Sequence, residues 1–318
     1  MCTCVTFTDA SGNLYAGRNL DWGCGFGESP VITGAGYEWK ALHTGEQKTK
    51  TAVIGMGIFP EGAPCPLYFD CANEDGLYVA GLSFAAGFCD FTDAQEGKTN
   101  VTSYELPLWF VSQFSTVDEA AEAAKNLNVT GESALPGMDP SPLHWIIADK
   151  ERAIVIEQTS EGCRVYENGL RVLTNQPDFP FHVNLQRNYI HLDTAWTEPE
   201  TLGTTQLTAL GTGPSMMGLP GDQSSISRFI RAAILNNLYP VQDTDAENVN
   251  RLFKELGSVA MFKGLCKMED GSYEYTVYTG GYSTVSKTYT YNTYDDMNTK
   301  SVCLDDYQGL QGVKVVAA

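Results

Sequence analysis

The first twenty-two residues leave this chain little choice of local structure. MCTCVTFTD alternates along a strand, ASGN supplies turn residues, and LYAGRNLDW follows as a second strand. The pattern predicts a β-hairpin whose first strand starts almost at residue 1. A fold that begins this way builds a sheet around its own N-terminus, and the hairpin brings Arg18 and Asp21 near that buried start. Cys2 and Cys4, two residues apart, point to one face.

Loss of a single methionine makes Cys2 the first residue, and methionine is readily trimmed before a residue this small. A thiol then shares one residue with the chain's α-amine, whose reference pKa of roughly 7.7–8.0 leaves much of it neutral near pH 7. One residue would hold a nucleophile and a general base, as in N-terminal threonine hydrolases. The plain alternative is an inert strand cysteine. Arg18 is the nearest cation that favours a thiolate. Asp21 is placed to accept hydrogen bonds from the α-ammonium or from Arg18. Asn175, ending a predicted strand in LTNQP, is a candidate oxyanion donor. By spacing alone, Arg18 and Asp21 equally suit a partnered salt bridge, and Asn175 a turn.

Composition narrows the function classes. With 39 acidic against 20 basic residues the formal charge is −19, which disfavours nucleic acids and anionic membranes as partners. No stretch approaches the roughly 18 apolar residues of a membrane span. Asp9 and the lack of an unbroken apolar run argue against a signal peptide. A cytoplasmic protein is expected. The nine cysteines are odd in number, scattered and without CxxC spacing, and only four histidines accompany them. That pattern favours reduced thiols over disulfides, and no metal or cofactor is expected. A metal or redox site at Cys2 and Cys4 is the alternative that metal analysis separates.

Further strands are predicted at Thr51–Met56, Leu67–Cys71, Leu77–Phe84, Trp145–Ala148, Ala153–Gln158, Arg164–Glu167, Leu170–Thr174, Tyr273–Tyr278 and Ser286–Tyr291. Capping boxes at Thr116/Glu119 and Thr244/Glu247 predict two helices, the second running to Leu256 with Gly257 as its stop. An apolar stripe predicts a third over Ile226–Leu238. Phe59–Pro66 and Gly211–Gly221 read as loops. Neither resembles a flexible linker, so one domain over 1–318 is preferred.

The segments MCTCVTF, GRNLDW, YFDCANEDGL, LTNQP, LPGDQSSISRF and NTYDD, in this order, resemble the choloylglycine hydrolases, a group that contains bile salt hydrolases and penicillin V acylases. The resemblance runs from Cys2 to about Tyr307. It implies an α+β fold of the N-terminal nucleophile hydrolase type, an αββα sandwich of two antiparallel sheets between helical layers. It implies Cys2 as nucleophile with its α-amine as base, supported by Arg18, Asp21 and Arg228. Asn175 and the Ser83 N–H would face the oxyanion; AGLSF carries Ser83 where many bile salt hydrolases carry asparagine, which keeps the main-chain donor and alters the side chain. Conjugated bile salts are the implied substrates, with penicillin V or another acyl amide as the alternative and no cofactor. Leu20, Trp22, Phe59 and Leu135 are expected along the substrate pocket, with Phe59–Pro66 as a candidate lid. The resemblance also links the GTG at Gly211–Gly213 to conjugate preference and suggests a homotetramer. A non-catalytic bile-acid or lipid-binding protein would share such a pocket without needing a free amine on Cys2.

Overall fold

The structure is a computed structural model that describes residues 1–85 and 87–317. The opening hairpin forms as expected: strand β1 (Cys2–Thr8) pairs antiparallel with β2 (Leu14–Trp22), placing Cys2 opposite Leu20 and Cys4 opposite Arg18. Neither strand lies at an edge. The short Val172–Leu173 strand closes the outer side of β1, and the Tyr273–Ser283 strand pairs with β2. Thr288–Thr293 and Lys300–Cys303 extend this first sheet, and Cys266–Lys267 pairs beside it.

A second antiparallel sheet runs in the spatial order Gly162–Glu167, Ala153–Thr159, Leu143–Ala148, Tyr78–Ser83, Leu67–Asn73, Val53–Ile58, Ser29–Thr33, Val313–Val315. Its inner strands are buried on both faces, while the edge strands Gly162–Glu167 and Val313–Val315 are partly solvated, and the two-residue period divides the buried side chains between two cores. Ile32, Ile54, Ala72, Ala80 and Ile146 face the first sheet. Val31, Val53, Cys71, Val79 and Ile147 face the opposite way, towards helices α1 (Leu106–Gln113) and α2 (Val117–Ala124).

The outer face of the first sheet is covered by α4 (Ser225–Leu238) and α5 (Asp245–Ser258), which follow α3 (Phe179–Gln186) in the chain. Phe229 and Ala233 of α4 and Leu252 and Leu256 of α5 pack into the core built on β1 and β2. The layers are therefore helix, sheet, sheet, helix, as the α+β sandwich reading expected.

The helix termini show where local signals hold. The Thr244 hydroxyl accepts from the Glu247 N–H at 3.2 Å and the Glu247 carboxylate accepts from the Thr244 N–H at 3.0 Å, a complete capping box. At α2 the Thr116 half forms, but Glu119 reaches back to the Ser115 N–H instead. Gly257 does not stop α5. The helix continues to Ser258 with Gly257 in a negative-φ conformation, because Val259, a buried core residue, draws the chain onward before it turns.

Thr244→Ala removes a donor–acceptor pair at the start of a helix that packs on β2. Urea unfolding should show a loss of about 1 kcal/mol; an unchanged midpoint would mean that packing alone fixes α5.

Candidate active site

The parity of β2 divides the work between its two faces. Arg18 points into the space between the sheets, on the same side as Cys2 and Cys4; Asp21, three residues on, points to the helix side. Arg18 donates from Nη2 to Cys2 Sγ at 2.6 Å and from Nη1 to Phe69 O at 3.0 Å and Gly81 O at 2.5 Å. Those carbonyls are free because the Leu67–Asn73 and Tyr78–Ser83 strands pair only as far as Asp70 and Ala80. The guanidinium fills the split. Burial works against its charge, but the Cys2 sulfur, Tyr278, Asp70 and Tyr78 outweigh burial and hold its pKa above the ordinary arginine value.

The main chain of Cys2 is gripped from the helix side. Arg228, on α4, donates to Cys2 O at 2.5 Å, to Thr3 Oγ1 at 2.6 Å and to Asn175 Oδ1 at 2.7 Å. The same Asn175 oxygen accepts from the Cys2 N–H at 2.8 Å, while Asn175 Nδ2 donates to Ser83 O at 2.9 Å. Asp21 Oδ1 accepts from the Thr276 hydroxyl at 2.6 Å, and Asp21 Oδ2 lies 4.0 Å from Arg228 without a hydrogen bond. Burial pushes the Asp21 pKa up against the pull of Arg228, and burial pushes Arg228 down against Asp21 and Cys2. Met1 is present: its ammonium donates to Asp21 O at 2.6 Å and also contacts the Glu274 carboxylate. Burial lowers the pKa of that amine.

Ser83 lies beside Asn175, which donates to its carbonyl. Phe84 N–H donates to Pro142 O at 2.8 Å, so strand alternation turns the Ser83 N–H and C=O to the other edge, towards Asn175. Arg18, Asp21, Ser83, Asn175 and Arg228 thus converge on Cys2.

A cavity of about 390 Å³ opens onto this cluster, with Cys2, Arg18, Asp21 and Ser83 in its wall. Leu20, Trp22, Phe26, Ile58, Leu67 and Phe69 make the wall largely apolar. Phe26 bridges Trp22 and Phe69 at ring distances of 6.2 and 5.7 Å. Leu20 and Trp22 lie where the sequence placed them, whereas Phe59 and Leu135 do not line this cavity. Ile58 and Ala134, their chain neighbours, do so instead, and Phe59 turns its side chain to solvent just past the end of its strand. Gly211–Gly213 lies on an exposed loop away from the lining. Among the described residues no group of three or more His, Cys, Asp or Glu is arranged to hold a metal ion. Burial pushes the Cys4 thiol well up, which disfavours a metal-binding thiolate beside Cys2.

Residues 2–313 match the family described as linear amide C–N hydrolases, choloylglycine hydrolase family. The chain belongs to that family. A bile salt hydrolase/transferase of Bifidobacterium longum is 46% identical over 309 residues, covering 96% of each chain. A conjugated bile acid hydrolase of Lactobacillus gasseri is 44% identical over 308 residues, again 96% of each. Among solved structures, a mutant conjugated bile acid hydrolase from Clostridium perfringens superposes with a TM-score of 0.91 at 32% identity, over 100% of this chain and 97% of that one. A penicillin V acylase from Agrobacterium tumefaciens shares the fold at a TM-score of 0.77 and 16% identity, covering 98% of this chain and 90% of that one.

This choloylglycine hydrolase site has supports that sequence reasoning missed. The carbonyls of Thr174 and Asn175 each contact a buried histidine, His144 Nε2 at 3.1 Å and His182 Nε2 at 2.9 Å. Asn175 N–H donates to Ser225 Oγ at 3.0 Å, tying the loop to the first turn of α4. His182 stacks on Phe229 at 4.6 Å, and burial lowers its pKa to about 4. Because an unfolded histidine titrates near 6.5, the unfolded chain takes up the proton first. The stability carried by neutral His182 is complete above about pH 6.5 and is lost as pH falls towards 4, by roughly 3 kcal/mol at most. Between pH 7 and pH 4.5, His182→Gln should therefore lose less unfolding free energy than the unaltered protein. Parallel pH–stability curves would rule out a neutral histidine here.

Proposed function

We propose that this choloylglycine hydrolase cleaves the amide of glycine- or taurine-conjugated bile acids with Cys2 as its nucleophile. The observation that carries this reading is the Cys2 sulfur, 2.6 Å from the Arg18 guanidinium in the wall of an apolar cavity. A rigid, mostly apolar steroid suits such a wall, and the named relatives act on conjugated bile salts.

In the proposed reaction Met1 has been removed, so the Cys2 nitrogen is an amine rather than the amide it is while Met1 is attached. The sulfur attacks the substrate carbonyl carbon as its proton passes to this amine. Asn175 Nδ2 and the Ser83 N–H, turned to one edge, donate to the tetrahedral oxyanion. The C–N bond then breaks, with the protonated amine giving its proton to the leaving nitrogen. Water attacks the resulting thioester as the amine takes up its proton; the C–S bond breaks and the proton returns to sulfur. Arg18 holds the sulfur from the inter-sheet side. Arg228 fixes the Cys2 carbonyl and the Asn175 carboxamide, and Asp21 balances the charge of Arg228 and the amine.

Replacing Cys2 by alanine should lower release of free glycine and taurine by at least about 10³-fold while circular dichroism stays unchanged. Hydrolysis that survives in the folded variant would overturn the assignment, as would full activity in protein whose mass spectrum retains Met1.

The same reading extends to assembly and location. All nine cysteines are free, which suits a cytoplasmic protein, and no helix among the described residues is long and apolar enough to cross a membrane. Among the described residues the Glu200–Leu202 and Thr205–Leu207 strands pair only with each other. Their Leu202 and Leu207, together with Ile190, Trp196, Leu210 and Met217 nearby in sequence, are exposed. We assign this apolar arm to contacts between copies in a homotetramer, as the family resemblance implies. Light scattering should then show four chains, and Leu202→Asp with Leu207→Asp should shift the mass towards the single 34.7 kDa chain. A monomeric unaltered protein would remove the assignment.

A further inference from the structure

The buried carboxylate of Asp70 has no place in the reaction above. Asp70 is fully buried in the Leu67–Asn73 strand and points across to the first sheet. Its Oδ1 accepts from the Tyr278 hydroxyl at 2.6 Å; its Oδ2 accepts from Tyr289 at 2.8 Å and from Tyr78 at 3.3 Å. All three tyrosines are fully buried. Burial pushes each hydroxyl well above its usual pKa, so they remain protonated donors. Burial also pushes Asp70 up, opposed by Arg18 and these hydroxyls. A two-oxygen acceptor surrounded by three donors is the environment of an ionised carboxylate.

The position of this anion is informative. Asp70 follows Phe69, whose carbonyl holds Arg18, and marks the last pairing before the two strands split around the guanidinium. Among the described residues none of Arg18's hydrogen bonds goes to a carboxylate; its partners are the Cys2 sulfur and the carbonyls of Asn19, Phe69 and Gly81. A buried cation needs compensating negative charge. Asp70, across the inter-sheet space, supplies it. Gly280, opposite Arg18 in the first sheet, leaves room for this arrangement. A Cβ built there would fall on the Tyr289 hydroxyl. Apolar residues would fill the same space without an ionic burial cost, so packing alone does not account for the cluster.

We propose that Asp70, held by Tyr78, Tyr278 and Tyr289, is a positioning residue that offsets the Arg18 charge and thereby sets the nucleophilic strength of the Cys2 sulfur. The proposal rests on Cys2 being the reactive thiol. An uncompensated guanidinium over-stabilises the sulfur anion: the thiolate persists to lower pH but attacks more slowly. The other ionisable groups around this sulfur are Tyr278 in the first sheet, Asp21 on the helix side of β2, Arg228 on α4 and the chain's terminal amine, with Cys4 farther along β1; the variants below alter none of them.

The test is the pH dependence of Cys2 alkylation by iodoacetamide, followed by peptide mapping on the mature, folded protein. Asp70→Asn should move the acid limb down by about one pH unit. It should also lower the plateau rate about threefold, following the usual dependence of thiolate reactivity on basicity. Tyr289→Phe removes one donor and favours protonated Asp70, so it should move the limb the same way by less. Gly280→Ala should match Tyr289→Phe by displacing that hydroxyl. A folded Asp70→Asn protein with an unmoved limb and plateau overturns the proposal. If that variant does not fold, unmoved profiles for both Tyr289→Phe and Gly280→Ala do so. Since alkylation needs no substrate, its outcome is separate from amide hydrolysis. Bile-salt cleavage by Cys2→Ala would defeat the proposed function whatever the Asp70 result.

Discussion

The structure is organised around one buried cation. Arg18 lies between the sheets with its nitrogens shared among the Cys2 sulfur and two carbonyls where adjacent strands part. That separation leaves main-chain groups that would otherwise pair across the sheet available to the site. The same split turns the Ser83 carbonyl towards Asn175, so one local opening serves both a charged side chain and a donor edge. An apolar residue at position 18 would leave those carbonyls unsatisfied in the core, a cost separate from any chemistry.

The second organising fact is the division of β2 by parity. Residues of one parity address the sulfur and most of the cavity; residues of the other address the main chain and the helices, Asp21 also reaching the cavity wall. Asn19 donates to Leu256 O at 2.8 Å, and Asp21 stands with Thr276 and Arg228. A residue whose side chain and amine perform different chemistry is thus controlled from two sides by one strand. Arg228 and Asn175 join these sides because each touches the Cys2 backbone, and the Ser225 hydroxyl ties Asn175 to the helix that carries Arg228.

Much of this was legible in the sequence, for specific reasons. The opening hairpin was readable because a two-residue period and a turn coincide, and α5 because Thr244 and Glu247 have the required spacing. Helix α1 was not. Leu106 through Ser112 are buried around the whole helix, so LPLWFVSQ carries no amphipathic period. Arg18 and Asp21 could be placed near Cys2 from the hairpin and Asn175 was a candidate donor from its place at a strand end, while Ser83 and Arg228 needed the ordered family segments. Asp70 was visible as an acid in an otherwise uncharged strand. Its tyrosine partners come from three other strands, two of them more than 200 positions away, and local pattern reading has no access to such contacts. Phe59 was misplaced because the cavity takes the last inward side chain of its strand, Ile58, and not the loop residue after it.

The interior position of β1 has a practical consequence for handling the protein. With β2 on one side and Val172–Leu173 on the other, the strand leads its first residue directly into the core. An affinity tag fused there would have to pass between Asp21, Glu274 and Arg228 and would cap the nitrogen on which the proposed chemistry turns. The far end of the chain is a different case: the Val313–Val315 strand lies at a sheet edge and is largely solvated, so a purification handle belongs after it.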